Sequence, residues 1–363
     1  MKQTAIAAAL GCLAAVGLAS CSSAPPEAPV VEEAAAPASD CAPAGNLSFV
    51  CGPQSPEDIV EVPGTRWLVA SGMVAGSGLH LVDTAAKTAT ALPLTTGPAD
   101  ARYAACPGPL DLSQAVLHGL ALRPADGGRY TLYATNHGGR ESVEVFTLDA
   151  QGASPTATWA GCVLMPDELE ANSVAAFTDG TLLTTVVVMP GFAFEDLFAG
   201  RNTGAVFQWT PGDAGFTRLP GTELPGNNGI ETSPDDTEFY VAASGAKTVT
   251  AFSRANPSAP LRTAQLTEFA PDNVRLQDGR LLAAGMIDDE PSCGGAPKTP
   301  ADIQCPRGYI AVAVDPATMA VTEIARGPVA PPYTGTATAL VVGGDVWLSS
   351  FNADRLAWRP LAP

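Results

Sequence analysis

The chain has 363 residues, of which 46% are hydrophobic and 15% are charged, and it contains 36 glycines and 33 prolines. This composition supplies enough apolar material for a core, and the frequent turn residues argue against long helices. With 37 acidic and 19 basic residues, the net charge of −18 excludes a basic surface that could neutralise the phosphates of a nucleic acid. We therefore expect a turn-rich, all-β globular protein.

The first twenty residues have the pattern of a signal peptide. Lys2 supplies a positive charge, and Ala5 to Gly17 form an apolar run that is too short to cross a bilayer. The tetrapeptide Leu18–Cys21 resembles the lipobox of bacterial lipoproteins, which implies cleavage and lipidation at Cys21. An ordinary signal peptide is the alternative. In lipoproteins, Ser22 after the cysteine implies the outer membrane, so we expect a cell-envelope protein facing the periplasm or the surface.

Six cysteines remain once Cys12 and Cys21 are set aside. An even number in an exported chain favours disulfides, although six cysteines permit fifteen pairings. Their spacings favour two local bridges, Cys41–Cys51 and Cys293–Cys305, and this leaves Cys106 for Cys162. Other pairings stay open from spacing alone. The sequence contains no CxxC motif, so we expect neither a zinc site nor a redox dithiol.

A repeat runs through the chain after a segment rich in Pro, Ala and Glu. Six segments share one plan, in which a polar or small residue and a short apolar stretch precede a turn and a second apolar strand. Turns such as Asp-Gly and Gly-Gly between apolar runs are strong hairpin signals. The period of roughly 50 residues matches a propeller blade, and two packed β-sandwiches are the alternative. The predicted hairpins span 57–69, 118–133, 172–183, 228–241, 272–282 and 336–348.

The repeat sets the expected domain organisation and fold class. We assign residues 1–20 to the signal peptide, 21–45 to the lipidated cysteine with an extended tether, and 46–363 to a six-bladed β-propeller with a central calcium site. We expect the chain to be a monomer that touches the membrane only through its N-terminal lipid.

The first residue of each hairpin is the basis for a predicted site. Equivalent positions of the blades face one end of the central channel, so they should form a ring. Carboxylates and amides supply the hard oxygen ligands that Ca²⁺ prefers, whereas the alternative is that these residues only cap turns. The predicted ring consists of Glu57, His118, Asn172, Asn228, Asp272 with Asn273, and Thr336.

Several short motifs between Ser55 and Leu356 occur in the same order as in a known family of proteins. They are Ser55–Asp58, His118–Leu120, Thr135–His137 with Ser142–Phe146, Asn228–Ile230 with Ser233–Asp235, and Asp272-Asn273. Together they resemble the serum paraoxonase/arylesterase family and, more distantly, the gluconolactonase and senescence-marker-protein group. The resemblance implies a propeller hydrolase whose calcium ion is bound by Glu57, Asn172, Asn228, Asp272 and Asn273.

The chain also departs from the paraoxonase pattern. The family implies a second, structural calcium bound by Asp58 and the Leu120 carbonyl, but Ser173 stands where the family has an aspartate, which counts against a second ion. No C-terminal cysteine is available for the family's closing disulfide. We therefore predict that the ring closes through strand pairing.

The predicted reaction is the attack of water on a lactone or an aryl ester, with a bound calcium that polarises the carbonyl. His118 is the expected general base, and His137 is expected to orient it. The base assignment stays open, because Asp272 is a rival in the gluconolactonase group and Glu57 is a third candidate. His80 is expected to be structural.

The alternative function is a non-catalytic propeller of the cell envelope that binds a ligand or a protein partner, because a fold does not decide between the two. We prefer the hypothesis that the chain is a lipid-anchored, calcium-dependent hydrolase that acts on lactones or aryl esters. The aromatic stretch from Phe192 to Phe198 is either a short lid helix over the channel or a packed loop.

Overall fold

The computed structural model describes residues 41–362. Within that range it contains 25 strands, and its α-helix, α1 (Glu195–Phe198), has four residues. None of the described helices is long and apolar enough to span a membrane. The predicted signal peptide, Cys21 and the tether up to residue 40 lie outside the described residues.

The strands form six separate sheets, each a mainly antiparallel meander. The first blade contains β2 (Ile59–Glu61), β3 (Trp67–Ala70), β4 (His80–Asp83) and β5 (Thr88–Ala91). The second contains β6 (Leu94–Thr96), β7 (Leu117–Pro124), β8 (Arg129–Asn136), β9 (Ser142–Asp149) and β10 (Thr156–Leu164). The third contains β11 (Val174–Ala176), β12 (Leu182–Val186), β13 (Ala205–Trp209) and β14 (Thr217–Leu219).

The later blades repeat the same order from the inside outward. The fourth contains β15 (Asn227–Thr232), β16 (Glu238–Ala243), β17 (Thr248–Ser253) and β18 (Pro260–Gln265). The fifth contains β19 (Phe269–Gln277), β20 (Arg280–Ile287), β21 (Tyr309–Val314) and β22 (Val321–Gly327). The sixth joins β23 (Thr336–Val342), β24 (Asp345–Ser350) and β25 (Arg355–Pro360) to the N-terminal β1 (Ser48–Cys51).

The six sheets surround a central channel, which confirms the predicted six-bladed propeller. The first strands of the blades, β2, β7, β11, β15, β19 and β23, contact one another in that order, and β23 contacts β2. The ring closes through the antiparallel pairing of β1 with β25, as expected from the missing terminal cysteine.

Turn chemistry explains why the hairpins form where the sequence predicts them. Between β19 and β20, Asp278 and Gly279 have φ angles of 48° and 73°. Positive φ at both positions suits the two-residue turn whose twist matches a hairpin, and Asp-Gly tolerates it at low cost. The turn therefore pairs Gln277 directly with Arg280.

The core lies between neighbouring blades. Strands alternate their side chains between two faces, and in the closed ring each blade has a neighbouring blade on both faces. Buried apolar residues therefore interleave across each interface. Between the third and fourth blades, for example, Phe177, Leu183 and Ile230 are buried together with the stacked rings of Phe239 and Phe252, whose centroids lie 5.3 Å apart. Each buried side chain of this size contributes about 1.5–3 kcal/mol.

The three disulfides predicted from the cysteine spacings are all present. The Cys41–Cys51 bridge ties the described N-terminus to β1, and Cys106–Cys162 joins a loop to β10. Cys293–Cys305 closes a loop between β20 and β21.

Candidate active site at the mouth of the channel

The predicted ring residues lie at one end of the innermost strands. Glu57 precedes β2 and Asn172 precedes β11, whereas His118, Asn228 and Asp272 lie inside β7, β15 and β19 near their starts. These residues come from five of the six blades, so side chains that are far apart in sequence converge on one opening.

A repeated irregularity aims these side chains. The pairing of the first strand with the second shifts between Leu117 and Leu120, between Asn227 and Ile230, and between Pro271 and Val274. Such bulges redirect side chains. Each shift contains ring residues, namely His118, Asn228, and Asp272 with Asn273.

Two glycines let the inner strands approach closely at the bulges. A Cβ on Gly119 would lie 2.5 Å from the Asn172 carbonyl oxygen, and a Cβ on Gly229 would lie 2.6 Å from the Asn273 Cα. Any larger residue would push the neighbouring blade away. His118-Gly119 and Asn228-Gly229 therefore place each polar side chain beside the next one in the ring.

Hydroxyl groups from the second strand of a blade hold the backbone of the next site residue. Thr135 Oγ1 donates to the Asn172 carbonyl at 2.9 Å, and Ser349 Oγ donates to the Glu57 carbonyl at 2.5 Å. Thr185 likewise donates to the Asn228 carbonyl. The backbone polar groups are thereby satisfied while the side chains of the ring remain available.

The ring contains buried oxygens that have no hydrogen-bond donor among the described residues. They are Glu57 Oε2, Asn172 Oδ1, Asn228 Oδ1 and Asn273 Oδ1. Other atoms of these side chains are paired: Asn273 Nδ2 donates to Glu57 Oε1 at 2.6 Å, and Asn228 Nδ2 donates to Ser244 Oγ at 3.1 Å. Unsatisfied buried acceptors are rare and call for an explanation, of which a cation is one.

Burial also makes the carboxylates of the ring costly to ionise. It raises the pKa of Glu57 well above its usual range, with the neighbouring Asp58 charge as the next contribution. It raises the pKa of Asp272 to about 8, and the charge of Glu57 adds to this shift. A cation between them would offset both effects.

These donors fit calcium better than zinc. Within residues 41–362 no group of three or more His, Cys, Asp or Glu side chains is arranged to hold a metal. The ring instead offers two carboxylates and three amides, and oxygen-rich ligand sets of this kind suit Ca²⁺. The four unpaired oxygens therefore fit the predicted ion.

A chain of polar groups leads away from the ring through the two predicted histidines. Glu141 Oε2 accepts from His137 Nδ1 at 2.9 Å, and His137 Nε2 lies 2.9 Å from His118 Nδ1. In the arrangement in which His137 donates from Nδ1 to Glu141 and accepts at Nε2, His118 donates from Nδ1 and keeps a lone pair on Nε2. That Nε2 lies 3.4 Å from Glu57 Oε2.

Burial, and secondarily His137, lowers the pKa of His118 to about 4. The imidazole is therefore unprotonated near neutral pH and able to accept a proton.

Two other predicted residues take no part in proton transfer. Thr336 Oγ1 donates to the Tyr333 hydroxyl at 3.1 Å, and His80 on β4 bonds to Ser77 Oγ at 3.1 Å, consistent with a structural residue.

The residues suggested for a second calcium do not fit one. The Asp58 carboxylate and the Leu120 carbonyl both contact the guanidinium of Arg275. Sequence reasoning missed Arg275, although a cation two residues after Asn273 in the same predicted inner strand was a visible signal. It also missed Glu141, which lies four residues after His137.

A mostly apolar cavity of about 200 Å³ opens beside Asn228 and Asp272. The predicted lid segment contributes α1, which lines this cavity. The cation at its wall, Lys247, is paired with Asp288. The apolar lining consists mainly of Phe194, Leu197, Phe198, Met286, Ile303 and Phe351.

No protein-family model matches the chain, and no curated protein matches it. Solved structures similar to it include a luciferin-regenerating enzyme, with 13% identity over 86% of this chain and 95% of that one and a TM-score of 0.50. A gluconolactonase from Xanthomonas campestris shows 16% identity over 88% and 91%, with a TM-score of 0.49. The calcium-binding protein regucalcin from Agrobacterium tumefaciens shows 13% identity over 88% and 94%, with a TM-score of 0.48. At these identities the likeness concerns the fold.

Proposed function

We propose that the chain is a calcium-dependent hydrolase of lactones or aryl esters. The observation that carries the proposal is the set of four buried, unpaired oxygens of Glu57, Asn172, Asn228 and Asn273 beside an unprotonated histidine. Asp272 would complete the ligand set. A calcium ion held there would polarise the substrate carbonyl and stabilise the negative charge that develops on its oxygen.

The protein's own groups would handle the proton. His118 Nε2 carries the lone pair that takes a proton from the attacking water, and its Nδ1–H is held by His137, which Glu141 orients in turn. The positive charge that develops on His118 is favoured by the nearby carboxylates of Asp272, Asp58 and Glu141. Asp272 remains the rival base, because a bound cation would stabilise its ionised form, which burial and the charge of Glu57 otherwise disfavour.

The cavity supports the substrate class. Its apolar lining suits the ring of an aryl ester or the hydrocarbon part of a lactone. The proton that the base takes from water can then pass to the departing phenolate or alkoxide oxygen, so one base suffices.

The test is an assay of a chain that begins at Cys41 against phenyl acetate and a panel of lactones, with calcium and then with a chelator. We expect turnover that the chelator abolishes and calcium restores. An absence of both turnover and calorimetrically detected calcium binding would favour the non-catalytic binding function instead.

Asn228→Ala provides the matched variant. It removes one unpaired oxygen of the ring, so calcium affinity and activity should fall together by at least tenfold. Asn256→Ala is the control, because Asn256 is exposed in an outer loop of the same blade. Activity that survives in Asn228→Ala would place the metal elsewhere.

We also propose that the chain is exported and carries lipid on Cys21. The supporting observations are the tetrapeptide Leu18–Cys21 and three disulfides, which form and persist in oxidising compartments. Labelling of bacteria with a radioactive fatty acid should mark the wild type and leave Cys21→Ser unlabelled. Equal labelling of both would exclude lipidation at this position.

A further inference from the structure

A second buried charge cluster lies in the channel beside the ring. The Asp58 carboxylate is fully buried, and both of its oxygens are paired. Oδ1 accepts from the Ile59 amide and from Thr338 Oγ1, both at 2.8 Å. Oδ2 accepts from the Leu120 amide at 2.6 Å and from the guanidinium of Arg275.

Arg275 reaches this carboxylate from a different blade. Its side chain is only 5% exposed. Besides the ion pair with Asp58, Nη2 donates to the Leu120 carbonyl at 2.8 Å and Nε donates to the Ile59 carbonyl at 3.4 Å. The guanidinium therefore connects β19 with β2 and β7, and it does so through oxygens that face the channel axis.

The oxygens of this cluster differ from those of the ring in their hydrogen-bond partners. Four side-chain oxygens of the ring lack donors, whereas Asp58 and the Leu120 carbonyl are both bonded to Arg275. Ser173, where the paraoxonase resemblance calls for an aspartate, has a buried and unpaired Oγ but no charge. We infer that the guanidinium of Arg275 takes the place of a second cation, so the channel holds one metal ion and carries the other positive charge covalently.

Charge balance supports this inference. Asp58 and Arg275 neutralise each other in the interior. A divalent ion in the same place would face a buried guanidinium with one carboxylate between them, and an uncompensated buried charge is strongly unfavourable. Because Arg275 is part of the chain, it stays in place when free calcium falls. The contacts that join β19 to β2 and β7 therefore persist without a metal ion.

The experiment compares calcium stoichiometry by isothermal titration calorimetry with CaCl₂. Relative to the wild type, Ser173→Asp/Arg275→Met should bind one additional calcium ion per chain, because it supplies a carboxylate and removes the resident cation. The gain is counted against the wild type, so the result is readable whether or not the ring itself binds calcium. An unchanged stoichiometry in the folded double variant would overturn the inference.

Asn228→Ala tests the same inference without altering Arg275, in case the double variant does not fold. If Arg275 fills the second position, the wild type should bind no more than one ion per chain, and this variant should bind that ion at least tenfold more weakly. Two ions in the wild type, or a second ion whose affinity Asn228→Ala leaves unchanged, would show that a metal binds alongside Arg275 and would refute the inference.

Discussion

His118 and Asp272 are the two side chains whose ionisation best suits proton transfer, and they lie in the same ring. Their pKa values are displaced in opposite directions, His118 to about 4 and Asp272 to about 8, mainly by burial. Burial disfavours the charged form of each. The imidazole therefore stays unprotonated and keeps its lone pair near neutral pH, whereas the carboxyl group becomes a base only when a cation stabilises its ionised form.

His118→Gln tests which group accepts the proton. Glutamine retains polarity but cannot act as a base near neutral pH, so kcat for phenyl acetate should fall by roughly 10²–10⁴-fold. Calcium affinity should change little, because the unpaired oxygens of the ring belong to other residues. Stopped-flow or steady-state rates and calorimetry on the same preparation measure the two effects separately.

His80→Gln is the control for this substitution. His80 lies on β4 and bonds to Ser77, outside the proposed relay, so the rate should match the wild type. If His118→Gln keeps at least half of the wild-type kcat, the base is Asp272 or Glu57 rather than His118.

The sequence predicts which residues come together in the ring, but not which atoms pair with one another. Glu57, Asn172, Asn228 and Asp272 could be placed together because a repeat puts equivalent positions at one end of the channel. The partners of a single side chain do not follow from a repeat. Arg275 crosses the channel to Asp58, more than two hundred positions away in sequence, and such a pairing depends on three-dimensional distances.

At the scale of elements, α1 is the piece of the fold that has no counterpart in a bare propeller. Asp196 accepts from the Ala193 amide and pairs with Arg201, both at 2.8–2.9 Å. Leu197 is buried against Gly245, where a Cβ would lie 2.3 Å from the Leu197 carbonyl oxygen. The contact of Leu197 with Gly245 fixes the short helix against the fourth blade, so Phe198 in the helix and Phe194 before it form part of the cavity wall.

Phe194→Ala should weaken binding of aromatic substrates. Phe194 lines the main cavity and also a second one of about 190 Å³ that reaches His118 and His137. Losing this contact should raise KM for phenyl acetate about tenfold, or ~1.4 kcal/mol. KM for a small aliphatic lactone should change less, because less apolar surface is involved.

Phe192→Ala is the matched control from the same segment. Phe192 lies under the Arg201 guanidinium, 4.8 Å from it, and does not line the main cavity. Its substitution should leave both KM values near those of the wild type. Equal effects of the two substitutions would mean that the segment acts through stability rather than through contact with substrate.

Over the whole molecule, turn residues and strand alternation were enough to predict six blades, because each hairpin signal is local. The extra strand β6 was not predictable in this way. It pairs in parallel with the outer strand β10 of the second blade, and a parallel pairing across 63 positions leaves no turn signal in the sequence. Closure through strand pairing was predicted only because the chain has no C-terminal cysteine, and the sequence did not identify β1 as the pairing strand.

Ring closure is the feature on which the whole molecule depends. β1 pairs with β25 from Ser48 opposite Trp358 to Cys51 opposite Arg355. Leu47, Phe49 and Val50 are buried in the same region. At about 1.5–3 kcal/mol each, these side chains contribute a large part of a typical total stability of 5–15 kcal/mol.

A chain that begins at Gln54 should therefore be much less stable than one that begins at Cys41. Without β1, the last strand becomes an exposed edge able to pair with other molecules. We expect a lower thermal midpoint by circular dichroism and aggregates in size-exclusion chromatography for the shorter chain only. Phe49→Ala in the longer chain should reproduce part of the loss, about 3–5 kcal/mol, because its ring stacks on Tyr333 at 6.0 Å. Equal stability of the two chains would mean that contacts between the first and sixth blades close the ring without β1.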